Sequence, residues 1–189
     1  MSVYNAISKL GYNVFISNQK KIIQECSHII LPGVGSYKET MNKIQNKIDI
    51  EHVYSEITNY NKPFLGICVG MQVLSDFGKE FGETSGLGWI SGRIDKLSTP
   101  KKLPHIGWNK IQIKKKSKLL MNIAQNMYFY FVHSYVYDCF NDDDIIAETN
   151  YGSLFPCIIN FKNIFGVQFH PEKSQKAGLL LLKNFVENF

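Results

Sequence analysis

The chain has 189 residues, 44% of them hydrophobic and 20% charged, with a net charge of +5. That is enough for one domain with a real core, too few for two ordinary ones, and too apolar for a disordered chain. No stretch approaches the roughly 20 apolar residues that span a bilayer, the opening MSVYNAISKLGYNVF lacks the charged start and apolar core of a signal peptide, and the four cysteines (Cys26, Cys68, Cys139, Cys157) show neither metal-like nor paired spacing, which fits free thiols in a reducing cytoplasm.

Residues 2 to 10 read as a helix ending at Gly11, a residue type that closes helices, and YNVFIS (12–17) reads as a strand by its aromatic and β-branched content. HIILPGVGSY (28–37) is a buried strand running into a glycine loop. Helical periodicity covers 37 to 60, with Pro63 closing that region. PFLGI (63–67) is a short apolar strand, and GMQVLSDFG (70–78) a helix ending at Gly78. The first half therefore alternates strand and helix, the pattern of a parallel sheet with helices on its faces. In the second half GWISGRIDKL, GWNKIQIKK, MYFYFVHSYVYD, DIIAETN, LFPCIINF and IFGVQF are strands joined by short turns, and AGLLLLKNFVENF is a closing amphipathic helix. The expected fold class is α/β, a mostly parallel central sheet flanked by helices with an antiparallel β extension in the C-terminal half, in one domain over 1–189. The lysine-rich run 96 to 118 could meet phosphates, but a solvated strand edge and loop explains it as well.

Three clusters could do chemistry. Gly66-Ile67-Cys68-Val69-Gly70 follows a strand and opens a helix, the logic of the G-x-S-x-G nucleophile elbow with Cys in place of Ser. A helix N-terminus favours a thiolate there, and the Val69 N–H could face an oxyanion. The alternative is a packed core cysteine. His170 and Glu172 lie two residues apart at the end of the apolar run 164–169, so their side chains share a face. They read as a base with its orienting carboxylate, or as an exposed ion pair. Pro32-Gly33-Val34-Gly35 is either an oxyanion loop or an ordinary turn. All three fall at the carboxyl ends of predicted strands, where sites in open α/β sheets gather. His28, His52 and His105 read as isolated structural or surface residues.

PGVGSY, GICVGMQ, PHIGWN, YFVHSY and FHPEKS occur in that order over most of the chain. Together they resemble the class I, or triad, glutamine amidotransferases, and among them the glutaminase subunits of imidazole glycerol phosphate synthase. The resemblance implies that Cys68 attacks the side-chain amide of glutamine, that His170 handles the protons and that Glu172 orients the imidazole. It implies an oxyanion site at Gly33, Val34, Gly35 and Val69, and glutamine held by Gly35, Gln72, Glu80, His133, Ser134 and Tyr135. Ammonia would pass to a (β/α)8-barrel cyclase in a heterodimer, with Trp108 as candidate contact. No cofactor, metal, nucleic acid or membrane is expected.

Two departures from the family pattern stand out. Val69 replaces the usual Leu. The chain also begins inside the helix that normally follows an apolar strand and a DYGxGN-like loop, so an incomplete, marginally stable form is expected, from a misplaced start or a truncated gene. Two other functions remain open: a paralogue supplying ammonia to a sugar-modifying partner, and a catalytically impaired remnant or regulatory subunit.

Overall fold

The computed structural model describes residues 2–189. Its helices are α1 (Ser2–Lys9), α2 (Lys20–Glu25), α3 (Tyr37–Lys47), α4 (Ile50–Asn59), α5 (Val69–Gln72) and α6 (Gln175–Glu187). The first strands are β1 (Ile29–Gly33), β2 (Phe64–Cys68), β3 (Phe77–Gly78), β4 (Thr84–Ser85), β5 (Gly92–Lys96) and β6 (His105–Lys110). The remaining six are β7 (Gln112–Ile113), β8 (Tyr128–His133), β9 (Tyr135–Cys139), β10 (Ile145–Asn150), β11 (Leu154–Phe161) and β12 (Ile164–Val167).

The central sheet has the order β1-β2-β12-β11-β10-β7. β1, β2 and β12 run parallel, and β11, β10 and β7 continue the sheet in antiparallel pairings. Every residue of β2 and β12 is buried, as strands covered on both faces must be. The antiparallel extension of the C-terminal half is present, but only part of it joins the main sheet. A second sheet has the order β4-β3-β5-β9, and β6 pairs with β8 as a separate ribbon. The parallel strands β1, β2 and β12 carry all three candidate clusters at one end of the sheet, because parallel strands deliver their carboxyl ends to the same side.

The helical region 37–60 splits in two at Asp49, whose side chain accepts from the His52 N–H and starts α4. Ser36 caps α3 in the same way, through the Glu39 N–H. The expected helix over 70–78 is only one turn long. The carbonyls of Val73, Leu74 and Ser75 accept instead from the N–H groups of Leu87, Trp89, Ile90 and Gly88, and Phe77–Gly78 pairs with β5. Tertiary pairing thus takes the backbone groups that a longer helix would need.

The expected strand at 12–17 is also absent. Residues 12–19 run without regular structure, and Phe15 and Ile16 are 72% and 75% exposed. A strand needs a hydrogen-bonded neighbour, and this segment has none among the described residues. β1 is the edge of the central sheet on this side. Beside it opens an apolar groove of about 790 Å³, walled by residues including Ile7, Val14, Ile22, Ile30 and Leu31 and reaching Glu172. An apolar extended segment added ahead of residue 1 is expected to fill this groove against β1. Each buried aliphatic side chain contributes roughly 1.5–3 kcal/mol, and each ordered residue costs about 1–2 kcal/mol. The net gain comes from the groove walls that the segment covers. At about 2–4 °C per kcal/mol, a gain of a few kcal/mol raises the thermal midpoint by on the order of 10 °C. An extension of the same length made of Ser and Asp should leave the midpoint unchanged; equal shifts from both would refute strand insertion.

Candidate active site

Cys68 ends β2 and has φ +56° and ψ −113°, a conformation that side chains other than Gly rarely adopt. The main chain turns there from strand into α5, so the side chain is held at the bend, as in a nucleophile elbow. The turn is possible because its neighbours lack side chains. A Cβ on Gly70 would overlap the Leu31 carbonyl oxygen, and one on Gly66 would overlap the Gly70 carbonyl. Gly33 sits level with Cys68 across the β1–β2 pair, with its Cα facing the Gly70 N–H. Thus β1 packs directly on the elbow and brings the Gly33–Gly35 loop beside it. Gly35 has φ +108°, which favours glycine at this bend. Val34 points its side chain to solvent, leaving only its backbone to serve the site.

His170 and Glu172 follow β12. The His170 Nδ1 lies 2.9 Å from Glu172 Oε1, and both side chains are almost wholly buried. An exposed ion pair is therefore excluded. Burial pulls the His170 imidazole down, but the neighbouring Cys68 sulfur and the Glu172 carboxylate more than offset it and push it up to about 9. Burial raises the Glu172 carboxyl, and its hydrogen bond and charge interaction with His170 outweigh that, so its pKa falls below the ordinary value. Glu172 Oε2 is buried and has no hydrogen-bond partner among the described residues. Ser2 reaches the other oxygen, with its Oγ 3.4 Å from Oε1.

A cavity of about 60 Å³ opens at Cys68. Gly35, Gln72, Glu80, His133, Ser134 and Tyr135 all line it, together with Val69. These residues come from four separate parts of the chain. Two of these side chains are already engaged: Gln72 Nε2 donates to the Tyr135 carbonyl at 3.0 Å and to Gln168 Oε1 at 3.0 Å, and Glu80 Oε2 accepts from the Tyr37 N–H at 2.7 Å. The volume suits about two waters, so a larger guest needs a shift of the Gly35 loop or of these side chains.

Trp108 lies apart from this cavity, on the outer face of the β6–β8 ribbon. It is 46% exposed and packs edge-on against Tyr130. Ile106 and Tyr128 are exposed on the same face, giving the ribbon an apolar outer surface.

Two residues escaped the sequence reading. Gln168 is fully buried, with its Nε2 3.9 Å from Cys68 Sγ. Its position just after β12, two residues before His170, was the signal that could have found it. His105, read as isolated, is buried against His133, with 3.1 Å between the rings' nitrogens. The lysines of 96–118 are solvated, and Lys114 and Lys115 pair with Glu148 and Asp143.

A protein-family model described as glutamine amidotransferase class-I matches residues 1–189. The chain is 42% identical over 187 residues to an imidazole glycerol phosphate synthase subunit HisH of Leptospira interrogans, covering 96% of this chain and 91% of that protein. It is 44% identical over 186 residues to the subunit of the same name from Methanocaldococcus jannaschii, covering 98% and 92%. In fold it is similar to a crystal structure of a glutamine amidotransferase, with TM-score 0.76, 15% identity and coverage of 98% and 91%.

Proposed function

Because the chain belongs to the class I glutamine amidotransferase family, we propose that it is the glutaminase subunit of an imidazole glycerol phosphate synthase, with Cys68, His170 and Glu172 as its catalytic triad. The observation that carries the reading is the Cys68 elbow, held at positive φ beside a buried His170–Glu172 pair. The similarity to subunits named HisH supports the choice of synthase.

Glutamine enters beside Cys68, with its amino-acid end toward Glu80, Ser134 and Tyr135. The sulfur attacks the carboxamide carbon with its proton already held on the His170 ring, which is an imidazolium below about pH 9. The Glu172 carboxylate holds Nδ1 and stabilises the imidazolium. Negative charge builds on the amide oxygen, where the Val69 N–H and the Gly33–Gly35 backbone receive it. The C–N bond breaks, His170 returns the proton to the departing nitrogen, and ammonia leaves a glutamyl thioester on Cys68. A water, deprotonated by His170, hydrolyses the thioester to glutamate and the free thiol. The ammonia goes to a (β/α)8-barrel cyclase docked on the outer face of the β6–β8 ribbon at Trp108.

The test combines this chain with such a cyclase and its ribonucleotide substrate, without ammonium salts. Glutamine should support formation of both glutamate and imidazole glycerol phosphate. If glutamate forms and the cyclase works only with added ammonium, the chain is a glutaminase for a different partner.

A further inference from the structure

Behind the proposed glutamine pocket lies a hydrogen-bonded chain whose direction is determined at both ends. His133 Nδ1 is 3.0 Å from the Tyr135 carbonyl. A carbonyl oxygen only accepts, so Nδ1 carries the hydrogen. In the neutral ring Nε2 is then a bare acceptor, and its neighbour at 3.1 Å is His105 Nδ1, which must donate. That leaves His105 Nε2 as an acceptor, 3.4 Å from the Asn109 side-chain Nδ2. Asn109 is itself oriented: its Nδ2 donates to the Asn150 carbonyl at 2.9 Å, and its Oδ1 accepts from the Lys110 N–H at 2.9 Å. Burial holds His105 down to about 4 and His133 to about 3, so each ring is neutral near pH 7. Charging either would set two donors against each other. The His105 ring is further clamped by stacking on Tyr151, with centroids 4.0 Å apart.

The other end of the chain reaches the nucleophile. The Tyr135 carbonyl also accepts from Gln72 Nε2, whose second hydrogen goes to Gln168, and the Gln168 amide faces Cys68 Sγ. We propose that His105 is a positioning residue of the pocket: its Nδ1–H, donated to His133 Nε2, holds the His133 ring on the Tyr135 carbonyl and so places the Tyr135 backbone and the Gln72 amide beside Cys68. Its kinetic consequences rest on the glutaminase reading above; the tautomers do not.

The first measurement is long-range ¹H–¹⁵N NMR of the imidazoles in the full chain at pH 7. Both His105 and His133 should show the Nδ1–H tautomer, and an Nε2–H tautomer at His133 would overturn the proposal. The second uses variants. His105→Phe keeps a stacked ring but leaves the buried His133 Nε2 without a donor, which should scramble the His133 tautomer and raise KM for glutamine about 10-fold. His105→Asn places an amide N–H near the lost Nδ1–H and should bring KM back to within about threefold despite losing the ring. Equal losses in both variants would mean that only packing matters, and an unchanged KM in His105→Phe would mean no role. Should His105→Phe fail to fold, the wild-type spectrum and His105→Asn still decide. A chain with the stated tautomers and no glutamine hydrolysis would instead refute the glutaminase reading.

Discussion

Cys68→Ala is expected to reduce glutamine hydrolysis to background, while Cys26, Cys139 and Cys157 each tolerate Ala. The four thiols are chemically unlike. Cys68 sits at a bend with His170 beside it, whereas burial raises the thiol pKa of Cys26, of Cys139 (to about 12) and of Cys157, the last completely enclosed. A thiol is nucleophilic as its thiolate, so those three are chemically quiet near neutral pH. Cys68→Ser keeps the shape but substitutes a hydroxyl that resists deprotonation, and it should fail as well. Glutamate release by Cys68→Ala at the wild-type rate would sink the triad. The same assay carries a pH signature. With His170 raised to about 9, the imidazolium that protonates the departing ammonia persists to that pH and is lost above it. Activity should therefore fall as pH rises through about 9. Glu172→Gln removes one of the charges that raise His170, so its alkaline limb should move to lower pH.

Glutamine hydrolysis by the chain alone is expected to be slow, and a cyclase carrying its own ligand should accelerate it by about 100- to 1,000-fold, the worth of one oxyanion donor. The Gly33–Gly35 loop lies beside the elbow, and Gly35 at φ +108° makes a turn of its peptide cheap. In the free chain the cavity at Cys68 is about 60 Å³, too small for glutamine without movement of that loop or its neighbours. A partner that turns a peptide of this loop so that one more N–H faces the oxyanion supplies a donor that acts in the transition state. The effect should appear in kcat more than in KM, because an oxyanion contact forms only in the transition state. Trp108→Ala should weaken the stimulation while leaving the slow basal rate intact. Equal turnover with and without the liganded cyclase would rule the coupling out.

The sequence alone carried the elements whose signals are local. β2 is a short run of apolar residues closed by the elbow, and its full burial follows from that composition. The spacing of Gly66, Cys68 and Gly70 announced the bend; His170 and Glu172 do meet as expected, but through a 3-10 turn at Pro171–Lys173 rather than the extended segment expected, since β12 ends at Val167. The resemblance named the residues around the small cavity except Val132, and all of those named but Glu80 lie in PGVGSY, GICVGMQ and YFVHSY.

Other features depended on what lies across space. YNVFIS has strand composition, yet no neighbour pairs with it among the described residues, and an unpaired backbone prefers water to an extended edge. The helix over 70–78 stops after one turn because the 86–90 loop claims its carbonyls. The burial of the His170–Glu172 pair, and the approach of the Cys68 sulfur that helps to raise His170 against that burial, require the surrounding fold and are invisible in a three-residue motif. His105 and His133 are 28 residues apart, and only the β6–β8 register sets them ring to ring. Propensity and spacing act over a few residues, so they wrote the strands and the bend; hydrogen-bond partners and burial arise when distant segments meet, so the tertiary structure alone decided which strand stayed unpaired, where the helix ended and which histidines share a hydrogen.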